Sequence, residues 1–96
     1  MSQYYTIQLL DGTDATKYQT ISTSGSSVQS TTITARRILI TTGAQPTYIE
    51  FGTNPTASVA DFVVPANSQM IFNFKSGNKV AVYTATQSYT SILDLD

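Results

Sequence analysis

Short segments in which apolar and polar residues alternate run through most of this chain, and they constrain its fold more than any other feature. Side chains two residues apart on a strand lie on the same face, so Tyr5, Ile7 and Leu9 predict a first strand. Residues 47–51 and 70–74 repeat the pattern. Helical periodicity is absent over any stretch long enough to form a helix. The pattern therefore favours an all-β protein with no substantial helix.

Turn signals separate these segments at intervals of roughly 8 to 12 residues. Gly52-Thr53-Asn54-Pro55 and Pro65-Ala66-Asn67 combine residues that fix or permit turn conformations. Ser76-Gly77-Asn78 predicts a tight hairpin loop, because Gly and Asn accept the positive φ that short hairpins require. About eight short strands follow from this spacing, which is typical of an antiparallel β-sandwich or a small barrel.

The chain divides by polarity into two parts of a single domain. Its 96 residues suffice for one core and not for two. Residues 1–35 are polar, with a Ser-rich stretch at 22–27 that is typical of a loop. We expect this part to form an N-terminal strand or arm, which can dock on the core or be exchanged with a neighbour. Residues 36–96 carry denser apolar strands and are expected to form the core of a β-sandwich.

The composition leaves few groups capable of catalysis. The chain has no His and no Cys, only 11% charged residues, and 11 Ser and 16 Thr. A Ser-His-Asp triad and a thiolate metal site are therefore excluded. A Ser-Lys dyad needs a buried lysine, whereas Lys75 and Lys79 flank a turn. We expect no catalytic, cofactor-binding or metal-binding residue, and no enzyme.

The charge pattern argues against nucleic acid and membrane partners. Five basic and six acidic residues give a net charge of -1, and Arg36-Arg37 is the only adjacent cationic pair. Nucleic-acid binding needs a larger surface that neutralises phosphates. No apolar run approaches the roughly 18 residues of a membrane span. The first residues also lack the pattern of a secretion signal, so we expect synthesis and use without general secretion.

Two carboxylates leave one enzymatic hypothesis open. Glu50 and Asp61 are the only acidic residues on or beside the denser strands. If they converged in a cleft, they would support a small hydrolase or lyase that acts on polysaccharide. If they lay on opposite faces, the hypothesis would be excluded.

The aromatic residues point to binding surfaces. The four Phe fit core positions, whereas the hydroxyls of the six Tyr need partners, and Tyr is enriched at interfaces. Exposed Tyr rings also bind sugars by stacking. Arg37 is predicted to point away from the core, where it either pairs with Glu50 or Asp61 or contacts a partner. The candidate interface residues are Tyr4, Tyr5, Arg37, Tyr48, Tyr83 and Tyr89.

The chain from Arg36 onward resembles a class of small virion proteins of tailed bacteriophages, including those of cyanobacterial hosts. The matching run begins with the strand 37–40, Arg-Ile-Leu-Ile. An aromatic-Gly-x-x-Pro-x-Ala corner follows at 51–57, then a Pro-Ala turn at 65–66 and a Gly-x-Lys-Val-Ala-Val segment at 77–82. Such proteins are similar to capsid decoration (cement) proteins and other small head or tail components.

This resemblance implies a β-sandwich of jelly-roll type, displayed in many copies and often as trimers or dimers. It implies the major capsid protein as the partner. The expected location is the capsid exterior, after synthesis in the host cytoplasm. No catalytic or cofactor residues are known for the class. We therefore expect a head decoration protein that stabilises the assembled capsid, and the alternative is a carbohydrate-binding or host-surface-binding module of a tail or head fibre.

Overall fold

Eight strands form two sheets in the computed structural model, which describes residues 18–95. The strands are β1 (Tyr18–Thr23), β2 (Val28–Gln29), β3 (Arg37–Thr41), β4 (Thr47–Gly52), β5 (Phe62–Val64), β6 (Gln69–Asn73), β7 (Lys79–Tyr83) and β8 (Ser88–Asp94). The described residues contain no helix, and so none that could cross a membrane. The strand predicted at residues 5–9 lies outside the described range.

The strands are shared equally between the two sheets. Sheet A has the order β1-β8-β3-β6, and sheet B has the order β2-β7-β4-β5. Every pairing is antiparallel. Among the described strands, only the β4–β5 connection stays within one sheet, and each of the others passes between sheets. The antiparallel β-sandwich predicted from the strand pattern is confirmed.

The turn between β6 and β7 is not the hairpin that the sequence predicted. Gly77 has the positive φ of 99° that such turns need. However, β6 belongs to sheet A and β7 to sheet B, so the turn carries the chain across the sandwich. The Gly77 N–H donates to the Ile33 carbonyl oxygen at 2.8 Å, which ties this crossing to the segment before β3. Turn chemistry specifies local φ values and not the sheet that the next strand joins.

The core lies between the sheets and is built from the inward side chains of both. Its buried members are Ile21, Ile33, Ala35, Ile38, Ile40, Ile49, Val64, Phe74, Val80, Val82 and Ile92. Phe51 packs edge-to-face against Phe72 and Phe74, with ring centroids 5.5 Å and 5.1 Å apart. Phe62 was also predicted to be buried, but 53% of it is exposed. Because β5 is an edge strand, only one side of the Phe62 ring meets the core, through Phe72.

Residues 18–35 are part of the sandwich. β1 pairs with β8 along its whole length, and β2 pairs with β7. Ile21 and Ile33 are buried in the core. Of the alternatives predicted for residues 1–35, a strand docked on the core describes residues 18–35, and polar residues such as Thr20 and Ser22 lie on the exposed face of β1. Residues 1–17 lie outside the described range.

One end of the core is polar. Thr23 and Thr84 are buried, and their hydroxyl oxygens lie 2.6 Å apart. Ser88 and Thr90 are buried nearby on β8, and within the described structure their hydroxyls have no hydrogen-bond partner. The aromatic cluster occupies the other end, so the sandwich has one apolar and one hydroxyl-rich end.

Candidate functional site

An apolar row crosses the outer face of sheet A. The strand register lines up four large side chains, one from each strand: Tyr18, Leu93, Leu39 and Ile71. They face away from the core because their neighbours on the strands, such as Ile38 and Ile40, point inward. Leu39 and Leu93 form the middle of the row, whereas Tyr18 is 45% and Ile71 54% exposed at its ends. We call these four residues the apolar row.

A polar row lies directly beside the apolar row. It consists of Thr20, Ser91, Thr41 and Gln69, again one residue from each strand. The Gln69 side-chain amide donates to the Thr41 hydroxyl at 3.2 Å, and the Tyr18 hydroxyl donates to that of Ser91 at 3.1 Å. An open concavity of about 270 Å³ lies between the two rows. An apolar strip with an uncharged hydrogen-bonding border suits contact with another protein surface.

The outer face of sheet B carries a different set of side chains. Tyr48 and Tyr83 lie opposite each other on β4 and β7, and their ring centroids are 6.1 Å apart with a tilt of 48°. Glu50 lies two residues beyond Tyr48 and therefore on the same face. The small, buried Ala81 lies opposite Glu50. This face therefore places a half-buried aromatic pair beside an exposed carboxyl group.

Glu50 and Asp61 are brought together beside this aromatic pair. The side-chain hydrogen bond between them raises the pKa of Glu50 above its ordinary value, and the negative charge of Asp61 adds to the rise. Asp61 is itself held by its loop, because the Ser58 N–H donates to its Oδ2 at 2.7 Å. Glycosidases hold their two carboxyl groups about 5 to 9.5 Å apart, so that the substrate fits between them. Glu50 and Asp61 lie together, as the hydrolase hypothesis requires. However, their side chains are in direct contact, which is closer than the spacing in glycosidases, and Glu50 is exposed.

The candidate interface residues do not form one surface. Tyr48 and Tyr83 lie together on sheet B, whereas Tyr89 is 60% exposed on the outer face of sheet A, opposite Ser22. Arg37 lies on the outer face of sheet A, and its predicted orientation away from the core is confirmed. Tyr4 and Tyr5 lie outside the described residues.

The predicted ion pair of Arg37 with Glu50 or Asp61 is wrong. Arg37 begins β3 in sheet A, whereas the two acids lie together on the outer side of sheet B. The thickness of the sandwich therefore separates the guanidinium from both carboxyl groups. The other interpretation of Arg37, contact with a partner, stays a prediction.

The apolar row is the feature that sequence reasoning missed. Leu39 lies within the run Ile38-Leu39-Ile40, which predicts an apolar strand. Neighbouring residues on a strand point to opposite faces, so a run of consecutive apolar residues indicates that both faces carry apolar side chains. That signal was present in the sequence, but the alignment of Leu39 with Leu93 and Ile71 depends on the strand register.

No protein-family model, curated protein or solved structure matches the chain. What the molecule does must therefore be inferred from its own strand order and its two outer faces.

Proposed function

We propose that this chain is a structural protein of a phage virion and not an enzyme. Its most specific role is that of a head decoration (cement) protein, which binds the assembled capsid and stabilises it. The observation that carries the proposal is the strand order, β1-β8-β3-β6 against β2-β7-β4-β5. This order supports a jelly-roll assignment, because a jelly roll distributes two Greek keys over two sheets and recurs in viral capsid and lectin domains. The resemblance of residues 36–96 to small phage virion proteins supplies the phage context.

The outer face of sheet A is the proposed contact with the major capsid protein. The apolar row extends across all four strands and ends in the exposed side chains of Tyr18 and Ile71. Only uncharged hydroxyl and amide groups make up the adjacent polar row. A ligand that binds only the assembled state shifts the equilibrium toward that state, and a protein that bridges capsid subunits stabilises the shell in this way.

Co-sedimentation with heads of the phage that encodes the chain tests this contact. We expect the wild-type protein to pellet with the heads, and Tyr18→Glu to lose binding because it places a charge on the apolar row. The matched control is Val63→Glu, which adds the same charge at a 41% exposed residue on sheet B. If the wild type did not bind, or if both variants bound equally well, the proposed contact would be wrong.

Binding of carbohydrate on a tail or head fibre is the second candidate function. The observation that favours it is the Tyr48–Tyr83 pair with Glu50 on the same face, because rings stack on sugars and carboxylates accept hydrogen bonds from their hydroxyls. A glycan array tests it, with the double variant Tyr48→Ala/Tyr83→Ala as the comparison. We expect wild-type binding that the double variant loses, and an array without binders would rule this candidate out.

A further inference from the structure

Within residues 18–95, one edge of β6 pairs with no other strand, and this free edge lacks the features that protect sheet edges from pairing with other chains. β2 has two residues and β5 three, and β5 lies between Asp61 and Pro65, which discourage the addition of a strand. β6 has five residues, and the window 68–74 contains no charged residue, Pro or Gly. The other long edge, β1, adjoins the part of the chain that is not described. A long, uncharged edge such as that of β6 is a template for a further strand.

The backbone of β6 presents three residues to this edge. The Phe74 N–H donates to the Arg36 carbonyl oxygen at 2.7 Å, and the Thr42 N–H donates to that of Ser68 at 2.9 Å. In an antiparallel pair, alternate residues bond to the partner strand. Even-numbered residues of this segment therefore bond to β3. Gln69, Ile71 and Asn73 direct their N–H and C=O groups to the free edge.

The sequence of β6 is complementary to itself in an antiparallel arrangement. Its five residues are an amide (Gln69), three apolar residues (70–72) and a second amide (Asn73). If a two-fold axis passes through Ile71, then Gln69 faces Asn73, Met70 faces Phe72, and Ile71 faces its own copy. Each pair is chemically matched, as amide with amide, thioether with aromatic ring, and aliphatic with aliphatic. In this register every edge-directed residue also meets an edge-directed residue of the other copy.

We propose that β6 pairs with β6 of a second copy of this chain, antiparallel and centred on Ile71. The two A sheets then form one eight-stranded sheet, joined by about six backbone hydrogen bonds. Ile71, which is 54% exposed, gains an apolar cross-strand partner. Phe62, which is 53% exposed and contacts Phe72, comes to lie beside the inner side of the second β6. No charges of like sign meet along the paired strands, because the window has none.

The pairing also explains how a narrow sheet can offer a broad surface. Four strands of five to seven residues form a face of roughly 20 Å by 17 Å. A stable protein interface buries about 800 Å² on each partner. Pairing through β6 places two apolar rows end to end and doubles this face. The inference rests on the edge of β6 and not on capsid binding, so either proposal can fail while the other holds.

A single cysteine tests the pairing and its register, because the chain has none of its own. Residues that face each other in a hydrogen-bonded pair have Cα atoms about 5.5 Å apart, within the range that a disulfide spans. We expect Ile71→Cys to form a disulfide-linked dimer under mild oxidation. Gln69→Cys is the matched control on the same strand and face, since two copies of residue 69 would lie about 13 Å apart. The double variant Gln69→Cys/Asn73→Cys is expected to cross-link again.

The rate of cross-linking decides between pairing and random collision. A preformed pair raises the effective thiol concentration, so Ile71→Cys should cross-link at least about tenfold faster than Gln69→Cys. Equal rates for the two variants, or no cross-link of Ile71→Cys, would overturn the proposed register. Neither outcome depends on whether the protein binds phage heads.

Sedimentation equilibrium tests the dimer without any cross-link. We expect the wild-type protein to have twice the chain mass of 10.4 kDa. Ile71→Lys should be monomeric, because two like charges would face each other on the axis. Val63→Lys, an equal change on the edge strand β5, should remain dimeric. A monomeric wild type, or a dimeric Ile71→Lys variant, would contradict the proposal, and the cysteine variants decide the case if Ile71→Lys does not fold.

Discussion

The hydrogen bond between Glu50 and Asp61 requires a proton on one of the two carboxyl groups. It raises the pKa of Glu50 above its ordinary value of 4.5, with the charge of Asp61 as the second cause. A carboxyl group with a raised pKa in the folded state contributes stability that is fully present below its unfolded pKa. This contribution is lost as the pH rises through the folded pKa. The pair therefore contributes less to stability at neutral pH than in acid.

Glu50→Gln should stabilise the protein at neutral pH and not in acid. The amide donates a hydrogen bond to an Asp61 side-chain oxygen without needing a shared proton, and it removes the charge of residue 50. We expect a higher melting temperature than that of the wild type at pH 7, and equal values below the ordinary Glu pKa of 4.5, where the stabilisation by the raised pKa of Glu50 is fully present. Thermal unfolding of both proteins at the two pH values measures this. The same difference in melting temperature at both pH values would show that the Glu50–Asp61 pair does not cause it.

The buried hydroxyls of Thr90 and Thr84 are expected to act on stability in opposite directions. Thr90 has no hydrogen-bond partner within the described structure, so Thr90→Val should raise the free energy of unfolding by about 1 kcal/mol. Thr84 bonds to the Thr23 hydroxyl and backbone, so Thr84→Val should lower it by about 1 to 2 kcal/mol. Urea unfolding measures both. Each variant controls for the other, since the chemical change is the same, and shifts of equal sign would contradict the hydrogen-bond assignment.

At the scale of single elements, the strands could be predicted from local pattern, whereas their partners could not. Alternation indicated the strand at 47–51, which corresponds to β4, and the one at 70–74, which corresponds to β6. The turn at Gly77 was also found, but its neighbours β6 and β7 lie in different sheets. Pairing depends on contacts between residues far apart in the chain, for which a local pattern contains no information.

The same limit applies to the candidate surfaces. That Tyr48 and Tyr83 would meet, and that Leu39 would align with Leu93 and Ile71, follows only from register. The orientation of Arg37 could be predicted because it depends only on its own strand. Its separation from Glu50 and Asp61 could not be predicted, since that required knowing which sheet each strand joins.

The start of the β3–β4 connection depends on a close approach that only glycine permits. A Cβ atom on Gly43 would lie 2.8 Å from the Ser88 Oγ and 2.9 Å from the Tyr89 carbonyl oxygen. Since the second contact is with a backbone atom, relieving it would require the main chain of β8 to shift. Gly43→Ala should therefore lower the free energy of unfolding by about 1 to 3 kcal/mol.

Gly52 provides the matched control for this substitution. A Cβ atom there would approach nothing closer than the Pro55 Cβ at 3.7 Å, which is an ordinary contact. We expect Gly52→Ala to change the free energy of unfolding by less than about 0.5 kcal/mol. Chemical denaturation of the two variants compares them directly, and an equal loss in both would show that crowding at Gly43 is not the cause.

At the scale of the whole molecule, the sandwich itself was predictable because a Thr-rich and Val-rich chain with frequent turns has few other ways to bury its apolar faces. Whether residues 18–35 join the core as strands or form an arm could not be decided from the sequence, for a physical reason. An edge strand such as β1 buries only some of its residues, among them Ile21 and Thr23, whereas Thr20 and Ser22 are exposed to solvent. In sequence, such a strand cannot be told from a polar arm.

We propose that the sandwich is a building block of a phage head, bound through the outer face of sheet A. The most direct measurement is a cryo-electron microscopy reconstruction of heads of the phage that encodes the chain. We expect density for the sandwich on the capsid exterior, with the apolar row of Tyr18, Leu93, Leu39 and Ile71 against the major capsid protein. Heads without this density, or a sandwich attached through the Tyr48–Tyr83 face, would contradict the claim.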